Sequence, residues 1–406
     1  MSPDDPPPPA TSASPRLVPD RPARRAVTAT FVANGLIGAS WVVRIPQLRD
    51  ELGLSDATVG GVLLAFYVGV VTALPLVGAA TSKFGSRRIT AAGGTLAALT
   101  LPMVALADDA VSLAAVLILV GLGMSTMDVG MNAQGIGVER GYDRSIMVGL
   151  HAAWSIGAML AAATGALLVA STVPMVWHLG AVGVVVAAIT AACLPWLRVE
   201  DRVPREAGGS GTRRGPLLAL PTGVLVPVAL VALGSSIGEV TAMDWSGLFL
   251  LDEVGVRPEQ VGWGLVAYTT TLTVARLVGD RVADAIGPDA TVSWGARLAA
   301  AAFVVMALAP TVSIALAGFA LVAAGLAVTV PLCFARAGRL ARSPGEGVAA
   351  VATVGYGGFL IAPPLVGNIK ELTDLRAAFV VVAVIVVLLA GRRRPFGRGR
   401  PPQDGD

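Results

Sequence analysis

From Ala110 to Met127 the chain runs eighteen residues without a charged side chain, and similar runs recur at Val176–Leu197, at Ala299–Ala309 continued through Thr311–Phe334, and at Ala377–Ala390. Runs of this length cross a bilayer as helices, because a helix satisfies its own backbone polar groups where no water can. A chain built this way is restricted to a helical membrane bundle. Composition agrees: 54% of residues are hydrophobic and 14% charged, against about a quarter charged in a soluble domain. Mean hydropathy is +0.73. The 48 glycines suit close helix approach in lipid, which gives no hydrophobic drive for association.

Twelve spans are expected, at about 27–46, 57–80, 88–107, 110–137, 146–170, 174–197, 221–250, 259–281, 290–309, 311–335, 347–369 and 374–391. Basic residues sit in short clusters between them, not on one face, so the pI near 9.2 speaks for membrane topology and against nucleic acid. With the N-terminus inside, the cytoplasmic segments hold clusters such as Lys83, Arg87 and Arg88, the linker arginines from Arg198 to Arg214, and Arg392–Arg394. The outer side holds only Arg44, Arg49, Arg257, Lys370 and Arg376. Pro6, Ala207 and Gln403 are thus expected in the cytoplasm and Asp109 outside. The Pro-rich start reads as a disordered tail over 1–26. A cleaved signal peptide is disfavoured, because the first apolar run is too long and is interrupted by Asn34. Bundles are expected at 27–197 and 221–391, a polar Gly-rich linker at 198–220 and a second tail at 392–406. Cys193 and Cys333 lie inside apolar runs, which argues against a disulfide framework. The two histidines make no metal site, and no cofactor motif is present.

The halves carry a repeat. Asp50–Gly60 reads DELGLSDATVG and Asp252–Gly262 reads DEVGVRPEQVG; an offset of 202 residues relates them and also carries Gly85 onto Gly287. Ser55 can cap the second span, and Pro258 can sit in the first turn of the eighth. Parallel halves related by an axis along the membrane normal place a substrate between them near mid-membrane.

Twelve spans, a central loop and duplicated halves resemble the major facilitator superfamily. The turn GAATSKFGSRR is similar to its loop signature: Gly78, Gly85, Arg87 and Arg88 match, Lys83 replaces an Arg, and Ser82 stands where an Asp is usual. That departure puts a charge relay in this loop in doubt. Asp284, before Gly287, takes the register of Ser82 in the second half. The stretches SWVVRIPQL, MDVGMNAQG, AMDWSGLFL and GYGGFLIAPPLVG resemble the fucose-permease-like branch and its uncharacterised bacterial members. That resemblance implies an all-α integral membrane protein of two pseudo-symmetric six-helix bundles. It also implies a proton-coupling role for the span-four acid, where Asp128 falls. The span-one acid of the sugar-carrying members is missing, with Asn34 and apolar residues in its place. Span four has no Arg and span five no Gly-Pro pair, unlike the drug/proton antiporters.

A charge at the bilayer centre costs roughly 2.5–3.5 kcal/mol on insertion scales, so Asp128 in span four and Glu239 in span seven need a wet cavity or a partner. They are the proton-coupling candidates; a structural hydrogen bond or ion pair is the competing reading. Asn34, Arg44, Asn132, His151, Trp154, Asp244, Trp245 and Tyr356 are candidates for a substrate cavity. Asn132 follows Asp128 at i+4 and shares its face, whereas Gln134 points elsewhere and reads as packing at the cytoplasmic end. His151, Trp154 and Ser155 share one face of span five. Arg44 and Asp244, at similar depth, are expected to lie near each other. Arg276 and Arg297 read as snorkelling or as structurally paired, with Asp280 or Asp284. Gly355, Gly357, Gly358 and Pro363–Pro364 are expected to bend span eleven.

The expected function is a secondary carrier working by alternating access, taking up a sugar-like solute or exporting a small metabolite. Its partners are the solute, protons and the lipid bilayer of the cytoplasmic membrane, and it is a monomer. A non-transporting membrane sensor is the alternative. No phosphate-binding loop and no Ser-His-Asp order supports an enzyme.

Overall fold

A computed structural model describes residues 20–142, 146–198, 220–308, 311–341, 344–392 and 396. Pro6, Ala207, Gln403 and nearly all of both tails and the linker lie outside the described residues. The first half contains α1 (Arg21–Val42), the short α2 (Ile45–Glu51), α3 (Asp56–Phe84), α4 (Ser86–Thr100) with a 3-10 extension over Leu101–Leu106, α5 (Ala110–Glu139), α6 (Met147–Ala170) and α7 (Met175–Cys193). The second contains α8 (Leu225–Phe249) with a π turn over Leu250–Val254, α9 (Trp263–Ile286), α10 (Pro288–Leu308), α11 (Val312–Leu326), α12 (Thr329–Leu340), α13 (Pro344–Leu372) and α14 (Leu375–Ala390). Taking α11 with α12 as one passage, these helices make the twelve expected spans, six in each half.

By length and apolar composition, nine of the described helices can cross a membrane, and the bent pair α1–α2 makes a tenth. The other two passages have local reasons for falling short. The final turns of α9 carry Arg276, Asp280, Arg281 and Asp284, and α14 has only 16 residues.

Helix starts follow their capping side chains. The Ser55 hydroxyl accepts the Thr58 N–H at 3.3 Å, as expected for α3. Asp109 and Ser112 cap each other at α5, and hydrogen bonds from the Ser112 backbone and hydroxyl hold the Asp109 carboxyl below its usual value. Some boundaries differ from the expected ones. Span one stops at Val42 and turns by 40° into α2, whose second residue is Pro46. Pro258 opens a separate 3-10 turn, Pro258–Gln260, and not α9 itself. Helix α13 is continuous through Pro363 and Pro364.

The repeat is visible in the backbone. Gly53 and Gly255 have φ 60° and 73°, and Gly85 and Gly287 have φ 83° and 86°. Both pairs keep the 202-residue offset, and all four sit where L side chains are disfavoured. Gly85 caps α3 and precedes α4; Gly287 does the same between α9 and α10.

The halves meet where α3 runs along α13 and α6 along α9. At the face bearing Lys370 they approach closely, main chain to main chain at one glycine and main chain to an alanine at the other. A Cβ on Gly60 of α3 would stand 2.6 Å from the Pro363 carbonyl oxygen of α13. A Cβ on Gly262, at the start of α9, would stand 2.6 Å from Ala166 of α6. These glycines are also 202 residues apart, so each half offers the equivalent glycine to the other. At the opposite face, which bears Arg88, Gln134 ties α5 to Ser86 at 2.6 Å and to the Arg198 carbonyl at 2.9 Å. Arg297 ties α10 to the Gly391 carbonyl at 2.9 Å. Both ties stay within one half.

Candidate functional site

Four groups of polar side chains lie along the seam. The first, at the Lys370 face, joins both halves. Arg49 of α2 donates to both oxygens of Asp252. Lys370 of α13 stands 2.5 Å from Asp252 and 2.5 Å from Asp56 of α3. The π turn at the end of α8 puts Asp252 there. The next residue, Glu253, holds Arg376 at 2.7 Å, and Gly255 ends the turn in the left-handed conformation. Lys370 is 7% exposed, so this is no loose surface pair.

The second group lies deeper. Tyr67 of α3 donates to Asp244 of α8 at 2.9 Å, across the halves. Asp244 is 2% exposed and its Oδ1 has no hydrogen-bond partner. Tyr67 also packs on Phe359 of α13, with ring centroids 5.5 Å apart, and Phe359 packs on Tyr356 at 5.6 Å.

The third group surrounds Arg276 of α9. Its guanidinium donates to the Ser155 hydroxyl of α6 at 3.2 Å and lies 5.6 Å from the centre of the Trp154 ring, within cation–π range. Glu239, Tyr268 and His151 all lie within electrostatic range of that cation. Glu239 accepts the Ser235 hydroxyl at 3.0 Å. One cation from the second half is thus held by span five of the first, with an acid close by.

The fourth group is Asp128 of α5. Asn132 donates to its Oδ1 at 3.2 Å and to its carbonyl at 2.8 Å, as the i+4 spacing requires. Tyr356 of the other half lies within electrostatic range of Asp128. Asp128, Asn132, Glu239 and Tyr356 are all partly exposed.

Other candidates stand elsewhere. Asn34 is fully buried in the first half; it donates to the Met124 carbonyl and accepts the Trp154 indole N–H, both at 2.9 Å. Trp245 is also fully buried. His151 meets Phe31 edge-on at 5.4 Å. Arg44 does not pair with Asp244, contrary to expectation. At the break between α1 and α2 it turns into its own half and donates to His178 at 3.2 Å, Gln47 at 2.7 Å and the Val173 carbonyl at 3.0 Å. Arg276 pairs with neither Asp280 nor Asp284, because its side chain crosses the seam; those acids lie exposed towards the end of α9. Near the α3–α4 junction, Gly78 of α3 faces open space. Lys83, Arg88 and Asp284 are exposed and Arg87 half-buried, with Lys83 over the Phe84 ring at 5.1 Å.

Sequence reasoning did not single out Arg276, Tyr67, Tyr268, Arg49, Asp56, Asp252 or Lys370 as site residues. For Tyr67 a signal existed: it is one of four tyrosines in the chain, set in an otherwise apolar run.

The family model of the Major Facilitator Superfamily matches residues 26–250 and again 228–403. An uncharacterised MFS-type transporter of Yersinia pestis is 30% identical over 91% of this chain and 94% of its own length. The membrane protein MosC of Rhizobium meliloti is 29% identical over 93% and 91%. Among solved structures, the nucleoside transporter NupG superposes with a TM-score of 0.73 at 14% identity, covering 93% of this chain and all of its own. The E. coli fucose:proton symporter FucP superposes at 0.63, also at 14% identity, covering 91% and 97%. With two overlapping matches that together take in nearly the whole chain, and with relatives that match it end to end, this chain belongs to the major facilitator superfamily.

Proposed function

We propose that this transporter is a proton-coupled secondary carrier of a small polar solute, working by alternating access in the cytoplasmic membrane as a monomer of the fucose-permease-like branch. The carrying observation is one partly exposed carboxylate from each half on the same seam: Asp128 and Glu239, the proton-coupling groups of this reading. Glu239 has Arg276 in range, and among the described residues no basic side chain pairs with Asp128. Such groups are tolerable at this depth when water reaches them or when a carboxylate takes up a proton. Trp154 offers a ring face, and Arg276, Asn132 and Tyr356 offer hydrogen-bonding groups, an inventory suited to a hydroxylated or ring-bearing solute. The fold likeness to a nucleoside transporter and to a fucose:proton symporter supports that chemistry. In this reading the Lys370 face is extracytoplasmic, and both termini and the linker at 198–220 are cytoplasmic.

A thermal-shift screen of the purified protein against sugars, nucleosides and small acids identifies the solute. Asp128→Asn and Glu239→Gln then test coupling. If either acid carries the proton, its variant keeps binding and keeps equal-pool exchange of labelled solute in proteoliposomes. It loses accumulation driven by a pH gradient. Full accumulation in both variants would remove these acids from the coupling path.

A further inference from the structure

Asp244 is the most deeply enclosed acid of the seam, and the carrier reading gives it no task. It lies five residues, about 7.5 Å of helix rise, beyond Glu239 towards the Lys370 face, and it turns towards α3. Oδ2 accepts the Tyr67 hydroxyl; Oδ1 is buried without a partner. The other titratable group facing it is Tyr268 of α9, and among the described residues no basic side chain pairs with it. An ionised carboxylate enclosed there would keep one charged oxygen unsolvated and would have no counter-ion, a cost of several kcal/mol in general. A neutral carboxyl avoids most of that cost and still accepts the phenol hydrogen bond.

The bond also joins the two halves at the closed end. When the halves part at the Lys370 face, Tyr67 leaves with α3 and the acid meets water. We propose that Asp244 is a proton-binding site and that, with Tyr67, it forms a proton-conditional latch: the Lys370 face closes only over an Asp244 that carries a proton. The proton comes from water on that face while the face is open and resides on Oδ1, leaving Oδ2 for Tyr67. This rests on the carrier reading and adds a third acid, whose task is the closing step.

The sign separates this latch from the ion cluster above it. Protonating Asp252 would remove a partner of Arg49 and Lys370, so acid there would open the face. Protonating Asp244 removes a buried charge, so acid closes it. One released proton makes the closed-to-open ratio fall by up to about tenfold per unit of rising pH.

The experiment places spin labels at Val111→Cys, on α5, and Leu372→Cys, at the end of α13, with Cys193 and Cys333 replaced by alanine. Both label sites are exposed, at 77% and 83%. Distances are measured in lipid nanodiscs over a pH series, with no solute and no gradient. The parent protein should show the short distance at low pH and gain the long one as pH rises. Asp244→Asn should hold the short distance at every pH. Tyr67→Phe should keep the pH response with its midpoint moved to lower pH, the closed population dropping by about tenfold at most at a given pH. An Asp244→Asn response equal to the parent's, or opening of the parent on acidification, overturns the latch. If Asp244→Asn does not fold, a Tyr67→Phe distribution equal to the parent's at every pH does so. Because no transport is measured, loss of the Asp128 and Glu239 reading leaves this result intact, and loss of the latch leaves that reading to its own test.

Discussion

A guanidinium has five donors in a plane and a flat face, so Arg276 can hold the Ser155 hydroxyl, lie over the Trp154 ring and stay near Glu239 together. A lysine ammonium offers a point charge and no plane. Arg276→Lys should therefore keep the fold and weaken solute binding. A charge-assisted hydrogen bond contributes about 1.5–3 kcal/mol, so the Kd measured by titrating the screened solute should rise about tenfold or more, with melting temperature little changed. An unaltered Kd would make Arg276 a structural tie between α6 and α9. Residues of this kind were only half legible in the sequence. Asp128 and Asn132 stood out because an i+4 spacing decides their geometry locally. Arg276 read as a snorkelling residue and Arg44 as a partner of Asp244, because sequence gives depth along a helix and not the direction of a long side chain across a seam. Arg44 found neutral partners in its own half as soon as the chain broke at Val43, and no periodicity marks that break.

At the scale of the element, the spans were readable because apolar length decides them, and their caps because Ser55 and Asp109 act on N–H groups three residues away. The interruptions were less so. The change from α11 to α12, the π turn after α8 and the 3-10 turn at Pro258 depend on tertiary contacts or on one proline among several. The duplicated glycines gave a firmer sign, and the backbone bears it out. Gly85 and Gly287 have no neighbour within 4 Å of an added Cβ, so their positive φ, and not space, is what requires glycine. Alanine at either position should cost about 1–3 kcal/mol of strain. Gly85→Ala and Gly287→Ala should each lower the melting temperature by a similar amount. A clear drop in one alone would show that the halves do not use the turn in the same way.

For the whole molecule, the Lys370 face is held by charge in addition to packing. Lys370 lies between Asp56 and Asp252, on different halves, and both carboxylates also lie near Arg49. Lys370→Ala leaves two partly buried acids to one cation. The loss, about 1–3 kcal/mol, falls on the closed arrangement and corresponds to a 5- to 150-fold shift towards the open one. Spin-label distances between Val111→Cys and Leu372→Cys, measured at neutral pH, should lengthen accordingly. Distances equal to the parent's would mean that Lys370 is not needed to keep the face shut.

That packing has an electrical side. Where Gly60 lies against the Pro363 carbonyl and Gly262 against Ala166, the two halves touch too closely for water to pass between them at those two points. Protons hop along files of water, and a carrier coupled to protons as proposed would otherwise discharge its gradient while waiting without cargo. A long side-chain plug opens a little with each rotamer change, whereas main chain against main chain or against an alanine methyl does not. In the proposed proton-coupled carrier the two equivalent glycines would therefore keep water out at these points while it waits without cargo, one on each side of the axis.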